Sequence, residues 1–134
     1  MRLDLYSLET SRIATEQTAL LNEASTRIKQ GKALSGLEKS GVLHALQVLI
    51  ENAIGKTKQK LKTYGEPVPV SAYDAFAALA RHGEIAIEQL PEWNAVVGLR
   101  NRIVHDYMNI DMDRVLDWVA KERYQFVTDF LLRQ

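Results

Sequence analysis

The chain contains no cysteine. That absence excludes thiol catalysis, thiolate–metal sites and a disulfide framework, and it is compatible with a reducing compartment. Long apolar runs are missing too. The longest are short and interrupted, well below the ~20 residues a membrane-spanning helix requires. The opening run Met1-Arg2-Leu3-Asp4-Leu5-Tyr6 has no apolar stretch of the kind a secretory signal carries, so a cytoplasmic protein without a membrane partner is expected. Nor is there an excess of charge of either sign: 17 basic residues balance 17 acidic ones. A protein that coats nucleic acid with a broad basic face carries a clear basic excess. Any nucleic-acid contact must therefore be local, or assembled from two chains. The three histidines, His44, His82 and His105, are scattered without a His-x-x-x-His spacing, so no metal site and no cofactor are expected.

What is present is enough for one globular domain over residues 1–134, with 46% hydrophobic residues. A chain of this size buries roughly two-thirds of its unfolded surface and needs no covalent staple. Glycine and proline cluster between periodic segments, and no strand-like alternation appears, which predicts an all-α fold. Leu3, Tyr6, Ile13, Leu20, Ala24 and Ile28 share one face of a first helix, frayed or broken early and ending near Gly31. Ser35-Gly36-Leu37-Glu38 has the spacing of a capping box and opens a second helix through Val42, Leu46, Leu49 and Ala53 to about Leu61. Its tail, Lys56-Thr57-Lys58-Gln59-Lys60, reads as a polar helix end suited to the macrodipole.

Gly65-Glu66-Pro67-Val68-Pro69 is a break. Ser71 caps a short helix through Ala75, Phe76, Leu79 and Ala80 to His82-Gly83. Another begins near Ile87 or Pro91. After a new cap at Asn109-Ile110-Asp111, a last helix carries Met112, Val115, Leu116, Val119, Phe126, Val127 and Phe130, with Trp118 and Tyr124 as core or interface aromatics.

Chemistry concentrates in Arg100-Asn101-Arg102-Ile103-Val104-His105-Asp106-Tyr107. Arginine offers a permanent cation with a planar fork suited to phosphate. Histidine exchanges protons near neutral pH. Arg100 shares a stripe with Trp93, Val97 and Val104, so it needs an anionic partner or a cleft. Five residues on one α-helix separate Arg100 and His105 by ~140° around the axis. Convergence of the two requires the helix to end between them, or a second chain. Arg102 and Asp106 have the spacing of a surface ion pair. His44 and His82 read as structural.

The run Gly98 to Tyr107, followed by Asn109-Ile110-Asp111, resembles the HepT type of the HEPN superfamily, whose motif is Arg, four residues, His, any residue, Tyr. Tyr73-Asp74-Ala75-Phe76-Ala77-Ala78-Leu79-Ala80 before Gly83-Glu84-Ile85 fits the same family. The resemblance spans most of the chain. It implies an up-down bundle of about five helices that forms a homodimer and joins two motifs in one cleft. It further implies a metal-independent endoribonuclease toxin of a type VII-like toxin–antitoxin pair, acting on RNA by 2′-hydroxyl attack. Arg100 and His105 would be catalytic, and Asn101 would position the phosphate or His105. Tyr107 would accept AMP from an MntA-like nucleotidyltransferase antitoxin. The competing expectation is a non-catalytic subunit that binds nucleotide or substrate for a nucleotidyltransferase.

Overall fold

A computed structural model describes residues 2–133, with side chains from Leu5 onward. The fold is all-α, with helices α1 (Arg2–Lys29), α2 (Gly36–Thr63), α3 (Ala72–Arg81), α4 (Leu90–His105), α5 (Met112–Ala120) and α6 (Gln125–Leu132). Short 3-10 turns cover Ile87–Gln89 and Tyr107–Asn109. Among the described residues no helix is long and apolar enough to cross a membrane. The central element is α2, which packs against α1, α3, α4 and α6.

The capping box forms as its spacing predicts. Ser35 Oγ accepts from the Glu38 amide at 3.1 Å, and Glu38 Oε1 accepts from the Ser35 amide at 2.8 Å. Two otherwise orphaned helix donors are thereby satisfied. The Ser35 amide also holds the Glu38 carboxyl below its ordinary range. The same carboxylate pairs with Arg27 and ties the start of α2 to the end of α1.

One core unites the helices. Leu21 on α1, Leu46, Leu49 and Ile50 on α2, Leu79 on α3 and Leu131 on α6 are almost completely buried. Phe76 stacks on Trp93 with ring centroids 4.6 Å apart, and Phe130 meets the Trp93 ring edge-on at 5.0 Å. This aromatic stack pins α3, α4 and α6 together, each such pair adding about 0.5–1.5 kcal/mol beyond area burial.

Three expectations change. First, α1 is continuous, without an early break, and its buried stripe matches the expected one only in part: Ala24 is buried and Ile28 packs against the core. Leu20 is exposed, and the side chain of Leu3 lies outside the described residues. The stripe that faces the bundle is Thr10, Ala14, Thr18, Leu21, Ala24 and Ser25. Hydroxyls are admitted there because they are satisfied: Thr18 Oγ1 lies 2.8 Å from Thr128 Oγ1, and Ser25 Oγ donates to the Ala120 carbonyl at 3.0 Å.

Second, the C-terminal segment is two helices, broken at Glu122, which takes a left-handed φ of 55°. The Glu122 amide donates to the Val119 carbonyl and the Arg123 amide to the Trp118 carbonyl. That is the Schellman pattern of a helix end. The ends of α1, α2 and α3 use the same pattern with Gly31, Gly65 and Gly83 at the left-handed position. Only at the fourth is a side-chain-bearing residue forced into it.

Third, the basic tail of α2 is not an open polar face. Thr57 is fully buried, and Lys56 Nζ donates to the carbonyls of Phe130 and Arg133 at 2.5 and 2.7 Å. Burial lowers the Lys56 pKa to about 8. Lys58 donates to the Val70 carbonyl and Lys60 pairs with Glu84. These cations serve the fold rather than an external anion.

Candidate functional site

Pro91 and Glu92 start α4, where a fixed φ and a negative charge suit a helix N-terminus. Trp93, Val96, Val97 and Ile103 anchor the helix in the core. It then runs unbroken through Arg100 to His105, and Asp106, at φ −147° and ψ 44°, ends it. His105 is thus the last residue of the helix, and of the two routes to convergence a helix end between Arg100 and His105 is absent. The two side chains leave one rigid rod ~140° apart. Within a single chain they do not converge.

Arg100 turns toward α2. Its Nε donates to Glu51 Oε2 at 3.2 Å, and its Nη1 donates to Asn101 Oδ1 at 2.9 Å. Nη2 has no partner among the described residues. The fork is held on two edges while its outer edge stays available to an anion, and the side chain is 28% exposed. Asn101 thus has the arginine as its partner. His105 is exposed at the last turn of α4 and makes no side-chain hydrogen bond among the described residues.

Tyr107 opens the 3-10 turn that follows. Its ring is 50% exposed, and its hydroxyl lies 3.5 Å from Ser40 Oγ on α2, a loose contact that leaves the phenol reachable. Asp111 caps α5 through the Arg114 amide, as its position predicts. The expected Arg102–Asp106 pair does not form among the described residues. Asp106 Oδ1 accepts from Asn109 Nδ2 at 2.7 Å instead, because the chain turns off the helix at Asp106.

Sequence reasoning overlooked the contribution of α2. Ser40, His44, Gln47 and Glu51 recur at helical spacing, within ~60° of one another around the axis. One end of this polar stripe touches Tyr107 and the other touches Arg100. The recurrence of polar residues at positions 40, 44, 47 and 51 was the available signal. His44 is exposed on that stripe rather than packed, whereas His82 is structural: it stacks on Tyr64 and lies 2.6 Å from Glu66 Oε1. Among the described residues no group of three His, Asp or Glu side chains could hold a metal ion.

Similarity to known proteins points the same way. A family profile described as "Ribonuclease HepT-like" matches residues 14–132. A comparison with curated proteins finds no match. Among solved structures, a toxin–antitoxin complex with AMP-PNP includes a chain 20% identical, with a TM-score of 0.78 over 94% of this chain and 97% of that one. A tri-AMPylated Shewanella oneidensis HEPN toxin in complex with MNT antitoxin is 25% identical, with a TM-score of 0.67 over 89% of this chain and 96% of that one. A mutant MntA–HpeT toxin–antitoxin structure is 23% identical, with a TM-score of 0.66 over 89% and 97%.

Proposed function

Since the chain belongs to the HepT-like ribonuclease family, we propose that it is the toxin of a toxin–antitoxin pair and cleaves RNA in the cytoplasm without a metal ion. The nucleophile is the ribose 2′-hydroxyl. Its oxygen bonds to the adjacent phosphorus as the bond to the 5′-oxygen breaks, leaving a cyclic phosphate and a free 5′-hydroxyl. One group removes the 2′ proton and another protonates the leaving oxygen. No external water enters the step.

The observation that carries this reading is the state of Arg100, braced by Glu51 and Asn101 with its outer edge free, on the same helix as an exposed His105. A preset guanidinium stabilises the charge that builds on the phosphate without reorganising. His105 supplies proton transfer. Because the two diverge on α4, a second copy of the chain is needed to complete the site as a homodimer. Leu37 and Met108, 84% and 89% exposed near the Ser40–Tyr107 contact, support an interface there.

Tyr107 is the control point. A nucleotidyltransferase antitoxin of the MntA kind transfers AMP to it: the phenol oxygen bonds to the α-phosphorus of ATP and pyrophosphate leaves. The added negative charge, two residues from His105, then competes with RNA phosphate. The exposure of Tyr107 and the likeness to an AMPylated HEPN toxin support this step.

Expression without the antitoxin tests the reading. Wild type should arrest growth and fragment RNA, while Arg100→Ala and His105→Ala should not. Intact RNA and normal growth with wild type would overturn it, and would leave a nucleotide-binding subunit as the better description. For Tyr107, incubation with the cognate nucleotidyltransferase and ATP should add AMP mass to wild type but not to Tyr107→Phe.

A further inference from the structure

A sizeable cavity lies away from the Arg100 stripe. It is a groove of about 420 Å³ between α4, α5 and α6, within the size range of small-ligand sites. Its floor is apolar, made by Leu99, Val115, Trp118 and Phe126. Trp118 is backed by Tyr124, whose ring lies 6.2 Å away and whose hydroxyl is fixed on Asn22 at 2.6 Å. The indole is thus a braced wall rather than a loose surface side chain.

Three exposed arginines, Arg102, Arg114 and Arg123, line the same groove. The arginine ion pairs among the described residues belong to Arg12, Arg27 and Arg100, so these three have no carboxylate partner. Two carboxylates also line the groove. Asp111 spends an oxygen capping α5 through the Arg114 amide, and Glu92 stands at the first turn of α4. Cations therefore outnumber acids, in a protein whose total charge is zero. Clustered like charges left unpaired repel one another, and an anionic partner removes that cost.

The groove also has a position relative to the chemistry. Arg102 lies three residues before His105, so the two are neighbours on the helix surface. Arg102, which lines the groove, is the link between it and His105. An apolar slot with an indole wall suits a nucleobase, and guanidinium groups at its rim suit the phosphates on either side.

We propose that the α4–α5–α6 groove binds a single-stranded segment of the RNA substrate next to the cleaved bond, with a base against Trp118 and phosphates on Arg102, Arg114 and Arg123. The proposal rests on the ribonuclease reading and adds a substrate subsite to it. It gives a charge-neutral protein a local basic track and accounts for three arginines without an ion pair among the described residues.

The test uses a fluorescent single-stranded RNA with methylated 2′-hydroxyls, which binds without being cleaved. Anisotropy should show Arg114→Gln/Arg123→Gln weakening binding about 10-fold or more, with the salt dependence falling by roughly one to two counterions. Trp118→Phe keeps an aromatic wall and should bind better than Trp118→Leu. These exposed arginines can be replaced without unfolding, and the thermal midpoint checks this. Unchanged RNA affinity in the double arginine variant overturns the proposal. Unchanged RNA affinity with lost binding of the nucleotidyltransferase assigns the groove to that protein. Unchanged RNA affinity with an altered oligomeric state assigns it to a second copy. The ribonuclease reading is judged separately, by RNA integrity in cells expressing wild type or His105→Ala.

Discussion

Arg100 Nε lies 3.2 Å from Glu51 Oε2, across the interface of two helices and 49 residues away in sequence. Both side chains are partly exposed, so the pair contributes under about 1 kcal/mol to stability. Its larger effect is to fix the direction of a planar fork. On the proposed ribonuclease reading, Glu51→Ala should lower the rate constant of RNA cleavage by up to about 10²-fold, the scale of a small misplacement of a catalytic group. The thermal midpoint should hardly move. Glu51→Gln, which keeps an acceptor, should recover part of the rate. Equal losses in both variants would show that the charge matters and the geometry does not.

The buried hydroxyl pair between α1 and α6 predicts non-additive energetics. Thr18→Val or Thr128→Val alone strands the other hydroxyl and should cost about 1–3 kcal/mol. The double variant removes both polar groups and should cost less than the sum. Denaturant unfolding of the four proteins in a double-mutant cycle measures the coupling. Strict additivity would mean that the two hydroxyls do not interact.

Lys56 predicts a pH dependence of stability. Its folded pKa is about 8, below the ordinary 10.5, with burial the main cause and repulsion from Lys60 and Arg133 adding to it against attraction from Glu84. Below pH 8 both states carry the proton, and the folded state bears the cost of the buried charge. Between pH 8 and 10.5 the unfolded state holds more proton, so this group makes stability rise with pH. Wild type should therefore gain on Lys56→Met as the pH is raised from 8 to 10, read as the difference in thermal midpoint. A flat or falling difference contradicts this.

Glu122 predicts a reversed preference for glycine. At φ 55° a side chain is strained, while glycine is not. Glu122→Ala and Glu122→Gly both lose the exposed pair with Lys29. The glycine variant should nevertheless be more stable than the alanine variant by about 1 kcal/mol. Urea denaturation compares the two directly, and an alanine variant of equal stability would count against the strain.

The same residue shows where sequence reading stops. Four helices end in one hydrogen-bond pattern. Three of the ends are marked by glycine and were readable, whereas the fourth carries Glu122 inside a continuous apolar period, and α5 and α6 merged into one expected helix. On α1 the core stripe is partly hydroxyl, satisfied by groups 95 and 110 residues away that periodicity does not see. The site divides in the same way. Arg100, His105 and Tyr107 stand together in sequence because one helix end carries them. Glu51 and Ser40, which hold or touch them, lie on another helix; their polar spacing is legible in the sequence, but their partners become visible only when α2 packs on α4.

The placement of the two tryptophans makes the molecule its own spectroscope. Trp93 is sealed among Phe76, Phe126 and Phe130, so its emission changes only when the core opens. Trp118 lines the arginine-rimmed groove, where the proposed occupant would quench it. With Trp118→Phe the remaining signal follows global unfolding, and with Trp93→Phe it follows the groove. Loss of the fold and filling of a surface slot can thus be timed separately in one chain without an added label.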